Sequence, residues 1–115
     1  MKKAEYYINV RLGDDVKEYP KVSGYVEEIE DSNGNKFKIG YHKSGNSWVA
    51  TELSTGLNCN MLIGCSTRAE CVENVHKNFN VVVKAFERTM NASEWTEKYV
   101  TPFKRFVQLQ EFLKN

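Results

Sequence analysis

Three cysteines and one histidine are the residues of this sequence best suited to chemistry. Cys59, Cys65 and Cys71 are evenly spaced, and His76 follows five residues later. Thiolates and imidazoles bind zinc, but cysteine-histidine zinc sites usually contain closely spaced pairs of ligands, and this spacing has no such pair. Cys59 and Cys65 fall on the apolar side of a predicted strand, where cysteine behaves as a small hydrophobic residue. The pattern therefore favours buried packing over a metal site.

The sequence also offers no arrangement of residues that is suited to catalysis. Cys71 and His76 would point about 140° apart around a helix, which is unsuitable for a nucleophile and its base. His42 lies among lysines on the polar side of a predicted strand, so we expect a solvated surface residue. The sequence contains no glycine-rich phosphate loop, no His-Glu-x-x-His and no Gly-x-Ser-x-Gly. We therefore expect a protein that is not an enzyme, without catalytic residues, metal ligands or cofactors.

Length and composition indicate one domain spanning residues 1–115. The net charge is +1, from 16 basic and 15 acidic side chains, so the whole chain is not a basic nucleic-acid binder. No apolar run is long enough to cross a membrane, and the N-terminal residues lack the apolar segment of a signal peptide. An odd number of cysteines fits reduced thiols better than a disulfide framework. These features predict a cytoplasmic protein.

The spacing of apolar residues changes along the chain from a strand-like period to a helical one, and it predicts the elements that would position a functional site. Alternation with a period of two predicts strands over residues 4–12, 22–30, 36–43, 47–53 and 57–65. Asn33-Gly34 is a strong hairpin signal, and the other links between the last four strands are also short. These strands should therefore form an antiparallel meander.

From Thr67 onward the period becomes helical. Thr67-x-x-Glu70 is a capping box, and an apolar stripe follows from Ala69 to Met90. A short helical piece carries Trp95, and Thr101-Pro102 begins another helix. The sequence therefore predicts an α+β fold: an antiparallel meander of four to five strands followed by two or three helices packed on one face of the sheet.

An acidic cluster is the first candidate for a binding surface. It lies at the end of the second long strand and consists of Glu27, Glu28, Glu30 and Asp31. Such a cluster suits a cationic partner, for instance a nuclease whose grooves carry arginine and lysine for phosphates. The alternative is a solvated, charged sheet edge that discourages aggregation.

A basic set is the second candidate, for an accessory domain that binds nucleic acid. Its members are Lys36, Lys38, Lys43, Lys104 and Arg105. Aromatic residues on the same strands could stack on bases, but Tyr41 and Trp48 are expected on the face that the first helix covers. Direct contact with nucleic acid is therefore left open. Self-association is also left open, because Trp95 and Phe112 lie off the predicted buried line.

The stretch Trp48-Val49-Ala50-Thr51-Glu52-Leu53-Ser54-Thr55-Gly56-Leu57, with Thr67-Arg68-Ala69-Glu70 after it, resembles small phage and mobile-element proteins of Gram-positive bacteria. In these proteins a lysine-bearing strand such as 36–43 precedes the hairpin. The resemblance covers about residues 36–73, and its motifs are structural. Proteins of this kind include inhibitors of host defence, among them Cas9-binding anti-CRISPR proteins. The resemblance implies a stoichiometric inhibitor of a host defence complex, possessing no chemistry of its own.

Overall fold

The fold is an α+β arrangement, seen in a computed structural model that describes residues 1–8, 10–11, 17–53, 58–59 and 65–84. Within these residues the elements are β1 (Lys2–Tyr7), β2 (Val10–Arg11), β3 (Lys17–Glu18), β4 (Lys21–Glu30), β5 (Lys36–Ser44), β6 (Ser47–Glu52) and α1 (Arg68–Lys77). The predicted fold class and antiparallel meander are confirmed. The predicted helices beyond residue 84 lie outside the described residues.

The main sheet has the strand order β1-β4-β5-β6, and every neighbouring pair is antiparallel. The small β2–β3 pair continues the register of β1 and β4, so both pairs belong to one long hairpin. Regular pairing is interrupted at Pro20, whose carbonyl accepts the Ile8 amide at 3.1 Å. Proline has no N–H to return this bond, which explains why the predicted strand 4–12 is found in two pieces.

The outer edge of β6 is covered by chain that follows it. Thr51 forms an antiparallel bridge with Asn58, and the Cys59 amide donates to the Ala50 carbonyl at 2.9 Å. The Trp48 amide donates to the Cys65 carbonyl at 2.8 Å. These bonds agree with the predicted strand 57–65. The remaining residues of that predicted strand lie outside the described part of the chain.

Helix α1 begins where the sequence predicts. The Thr67 hydroxyl accepts the Glu70 amide at 3.1 Å, which satisfies one of the amides that have no partner within the helix. The reciprocal half of the capping box is not formed, because the Glu70 carboxylate instead accepts the Ser66 hydroxyl at 3.1 Å. The helix ends at Asn78, and residues 79–84 are helical again.

The core lies between α1 and one face of the sheet, here called the helix face. Its buried sheet residues include Ile39, Tyr41 and Ala50, and α1 contributes Cys71 and Val75. Phe79, Val82 and Val83 extend the predicted apolar stripe beyond α1. Ala69, expected in that stripe, is exposed, because the buried line along α1 passes through Cys71 and Asn74 instead.

Candidate functional site

The β4–β5 hairpin brings both predicted charged sets together. Its register places Glu28 opposite Lys38 and Glu30 opposite Lys36. Side chains alternate between faces along a strand, so all four project from the face opposite the helix face, here called the far face. We call these four residues, Glu28, Glu30, Lys36 and Lys38, the charged patch. Part of the predicted acidic site and part of the predicted basic site are therefore one surface.

The charged patch is exposed and electrically balanced. Glu28 lies 3.7 Å from the ammonium of Lys36, and these side chains are 48% and 64% exposed. An exposed ion pair of this kind stabilises a fold by only about 0–1 kcal/mol, since water screens it. Cross-strand neighbours of opposite sign also support the register. The patch therefore contributes little to stability, and its four charges remain accessible.

Asp31 has a structural role in the hairpin turn. One carboxylate oxygen accepts the amides of Asn33 and Asn35 at 2.9 and 2.8 Å, and the other accepts the Asn35 side-chain amide at 3.2 Å. Desolvation acts in the opposite direction, but these hydrogen bonds together lower the pKa of Asp31. The carboxylate is therefore engaged within the turn, unlike those of the charged patch.

Glu27 lies on the helix face and is only 16% exposed. It accepts the hydroxyl of Tyr41 at 3.1 Å and contacts Nε2 of His76 on α1. Burial, followed by the adjacent Glu27 charge and hydrogen bond, raises the pKa of Tyr41, so the phenol remains a donor. Glu27 thus ties α1 to the sheet. The four predicted acids are divided among two faces and a turn.

The basic set is also divided. Lys43 pairs with Trp48 across the β5–β6 hairpin, on the helix face, whereas Lys36 and Lys38 project from the far face. Lys104 and Arg105 lie outside the described residues, as do Trp95 and Phe112. In the described part of the chain, the predicted lysines therefore do not form one continuous cationic surface.

The prediction that His42 is a solvated surface residue is wrong. His42 is 5% exposed, and its Nδ1 lies 3.5 Å from the hydroxyl of Tyr6, which is 2% exposed. The Tyr6 ring lies against Gly40, where an added Cβ would be 2.5 Å from its Cζ atom. A Cβ at Gly24 would be 2.2 Å from the Tyr41 carbonyl oxygen and 3.0 Å from the Tyr6 hydroxyl oxygen. The two glycines leave the space in which Tyr6 crosses the sheet to His42.

Burial has a predictable effect on this histidine. It lowers the pKa of His42, because a buried cation loses its hydration. The same loss of hydration is the main reason that the pKa of Tyr6 is raised. We therefore describe His42 and Tyr6 as a neutral, buried polar pair.

The cysteines are buried, as the sequence predicts. Cys59, Cys65 and Cys71 all belong to the core between sheet and helix. Burial is the main cause that raises the pKa of Cys59 and of Cys71 to about 12. Among the described residues, no group of three or more histidine, cysteine, aspartate or glutamate side chains is arranged to hold a metal ion.

Comparison with family models, with curated proteins and with solved structures gave no match for this chain. None of the described helices has the length and apolar character required to cross a membrane.

Proposed function

We propose that this protein acts by stoichiometric binding to another protein, and that the charged patch contributes to the contact. The resemblance described above suggests a host defence complex as the partner, with the Cas9–guide RNA complex as the first candidate. The proposal assigns no catalytic step to the protein. The observation that carries it is the exposed array of opposite charges on one face of the β4–β5 hairpin, with the glutamates on β4 and the lysines on β5.

An array that contains both signs of charge suits a protein partner better than a nucleic acid. A protein surface can present both signs of charge, and complementary arrangements guide encounter and determine register. A phosphate backbone presents one sign, and binding depends on cations that replace its counterions. Lys36 and Lys38 each lie opposite a glutamate, which would be brought towards the phosphates. Nucleic-acid binding through these lysines is therefore the less supported alternative.

The patch can be tested by reversing its acids while measuring binding to a Cas9–guide RNA complex. Glu28→Lys together with Glu30→Lys should weaken binding at least tenfold, about 1.4 kcal/mol, because the partner groups that face these two glutamates are expected to be cationic. Inhibition of target DNA cleavage should fall in parallel. Wild-type affinity should also decrease as salt is raised.

Two controls separate charge from stability. The double reversal places lysine opposite lysine, which weakens the hairpin. A fourfold variant that also carries Lys36→Glu and Lys38→Glu restores every cross-strand pair and the original net charge, yet exchanges the sign at each position. It should fold like the parent and still bind poorly. Glu73→Lys, on the exposed side of α1, should leave binding unchanged.

Two results would contradict the proposal. If the fourfold variant binds as the parent does, the sign of charge at the patch does not matter. If the parent binds duplex or single-stranded DNA, the alternative function is supported instead. On duplex DNA, the logarithm of the binding constant should then fall with the logarithm of salt concentration with a slope of about −0.9 per phosphate contact. Absence of DNA binding at low salt would remove that alternative.

A further inference from the structure

The outer edge of β1 is the feature that the proposed function leaves unused. The sheet order places β1 at one edge, and no strand among the described residues lies on its outer side. The opposite edge, at β6, is covered by residues 58, 59 and 65. An edge strand whose backbone groups are unpaired can accept another strand.

The register of the first hairpin shows which peptide groups point outward. The Ile8 amide donates to the Pro20 carbonyl, so Ile8 and Pro20 occupy a hydrogen-bonded position of the ladder. Hydrogen-bonded and non-hydrogen-bonded pairs alternate along an antiparallel ladder, so the pair of Ala4 and Gly24 is also hydrogen-bonded. The N–H and C=O groups of Lys3 and Glu5 therefore point away from β4, and both residues are exposed.

The charges of these two residues are self-complementary. In an antiparallel pair of two β1 strands centred on Ala4, Lys3 lies opposite the partner's Glu5, and Glu5 lies opposite the partner's Lys3. Those are also the residues whose outward groups can exchange backbone hydrogen bonds. Centring the pair on Lys3 or on Glu5 would instead place like charges opposite each other, which is unfavourable. Hydrogen bonding permits all three registers, and charge favours the one centred on Ala4.

We propose that two copies of the chain associate through the outer edges of β1, forming one continuous sheet with Lys3 of each copy opposite the partner's Glu5. The proposal is independent of the charged patch, which lies on the β4–β5 hairpin. A single strand-to-strand contact is much smaller than the roughly 1,600 Å² of a standard stable interface. The dimer should therefore be weak, with Kd of order 10⁻⁴ M.

Sedimentation equilibrium on the full chain, at concentrations up to about 1 mM, should show a reversible monomer–dimer equilibrium around this Kd. Lys3→Glu or Glu5→Lys alone should weaken it about tenfold or more, because each variant presents a single sign of charge along the edge. An equimolar mixture of the two variants should restore association, since every cross-strand pair becomes opposite in charge. The matched control Glu73→Lys should dimerise like the parent.

The mixing result also controls for folding. Glu5 lies 3.6 Å from Lys21 within the same chain, so Glu5→Lys removes that contact as well. If a variant dimerised poorly because it was unfolded, mixing it with the other variant would not restore association. If it dimerised poorly because like charges faced each other across the strand pair, mixing would restore association. In the parent, exchange of the Lys3 and Glu5 amides with solvent should slow as concentration rises. A parent that stays monomeric near 1 mM, or a mixture that associates no better than either variant alone, would overturn the proposal.

Discussion

Gly40→Ala should destabilise the protein, because the far face has no room for a side chain at position 40. An added Cβ would lie 2.5 Å from Cζ of Tyr6 and 2.8 and 2.9 Å from its two Cε atoms. Carbon atoms normally pack at about 3.5–4.0 Å, so the ring would have to move by about 1 Å. Tyr6 is buried, and overpacking of this kind typically costs about 1–3 kcal/mol.

The backbone contributes in the opposite direction. Alanine loses less conformational freedom than glycine on folding, which stabilises a strand by about 0.5–1 kcal/mol. The net loss should be about 1–2 kcal/mol, or a decrease in Tm of roughly 4–8 °C for a domain of this size. Urea denaturation followed by circular dichroism would measure the free energy of unfolding directly.

A second substitution makes the test specific. Tyr6→Leu removes the ε and ζ atoms that Gly40→Ala would meet, although it lowers stability by itself. In the Tyr6→Leu background, Gly40→Ala should become neutral or stabilising, because only the backbone effect remains. A double-mutant cycle should therefore give a coupling energy of about 1–3 kcal/mol. The same loss in both backgrounds would refute the proposed contact between the ring and Gly40.

Three further predictions concern other parts of the molecule. Because burial lowers the pKa of His42 below about 6.5, its unfolded value, the free energy of unfolding should be constant above that pH and fall as pH decreases towards the folded-state pKa. His42→Gln should flatten this dependence in acid titrations of stability, and an unchanged slope would contradict it. Thr67→Ala should cost about 1 kcal/mol in urea denaturation through the lost cap, and a negligible change would place the start of the helix elsewhere. Iodoacetamide at pH 8 should label the thiols of Cys59, Cys65 and Cys71 only after unfolding, whereas rapid labelling of the native protein would contradict their burial.

Local signals in the sequence predicted much of this fold. The hairpin at Asn33-Gly34 and the cap at Thr67 depend on residues within a few positions of each other. Gly34 and Gly45 adopt the positive φ values of 84° and 61° that their turns require. The burial of Cys59 and Cys65 followed from alternation along one strand. Such features need no knowledge of distant contacts.

The pairing of the acids of the charged patch with lysines depended on turn length. A two-residue Asn33-Gly34 turn would place Glu30 opposite Phe37, but the structure places Glu30 opposite Lys36. The turn is longer because Asp31 accepts the amides of Asn33 and Asn35. A shift of one residue changes every cross-strand pair. The pairing of acids with lysines was therefore not evident from either cluster alone.

The burial of His42 illustrates a different limit. His42 lies on the same face of β5 as Lys36 and Lys38, and this spacing indicates that the face is exposed. The face is exposed near the β4–β5 turn, but Tyr6 of β1 covers it at His42. Tyr6 comes from a strand distant in sequence, and it covers His42 because Gly24 and Gly40 leave space. Glycine within two strands was the available signal, since it often marks close approach of other groups. Only the pairing of β1, β4 and β5 shows that both glycines lie beside the same Tyr6 side chain.

The arrangement of β4 and β5 has a consequence for how the chain folds. β4, β5 and β6 are joined by short turns, so their pairing closes only small loops and loses little chain entropy. The cover of β6 by Cys65 and the packing of α1 require longer loops to close. We expect the β4–β5–β6 hairpins to assemble first and α1 to dock afterwards. Amides of β5, which has a strand on each side, should then exchange only through global unfolding.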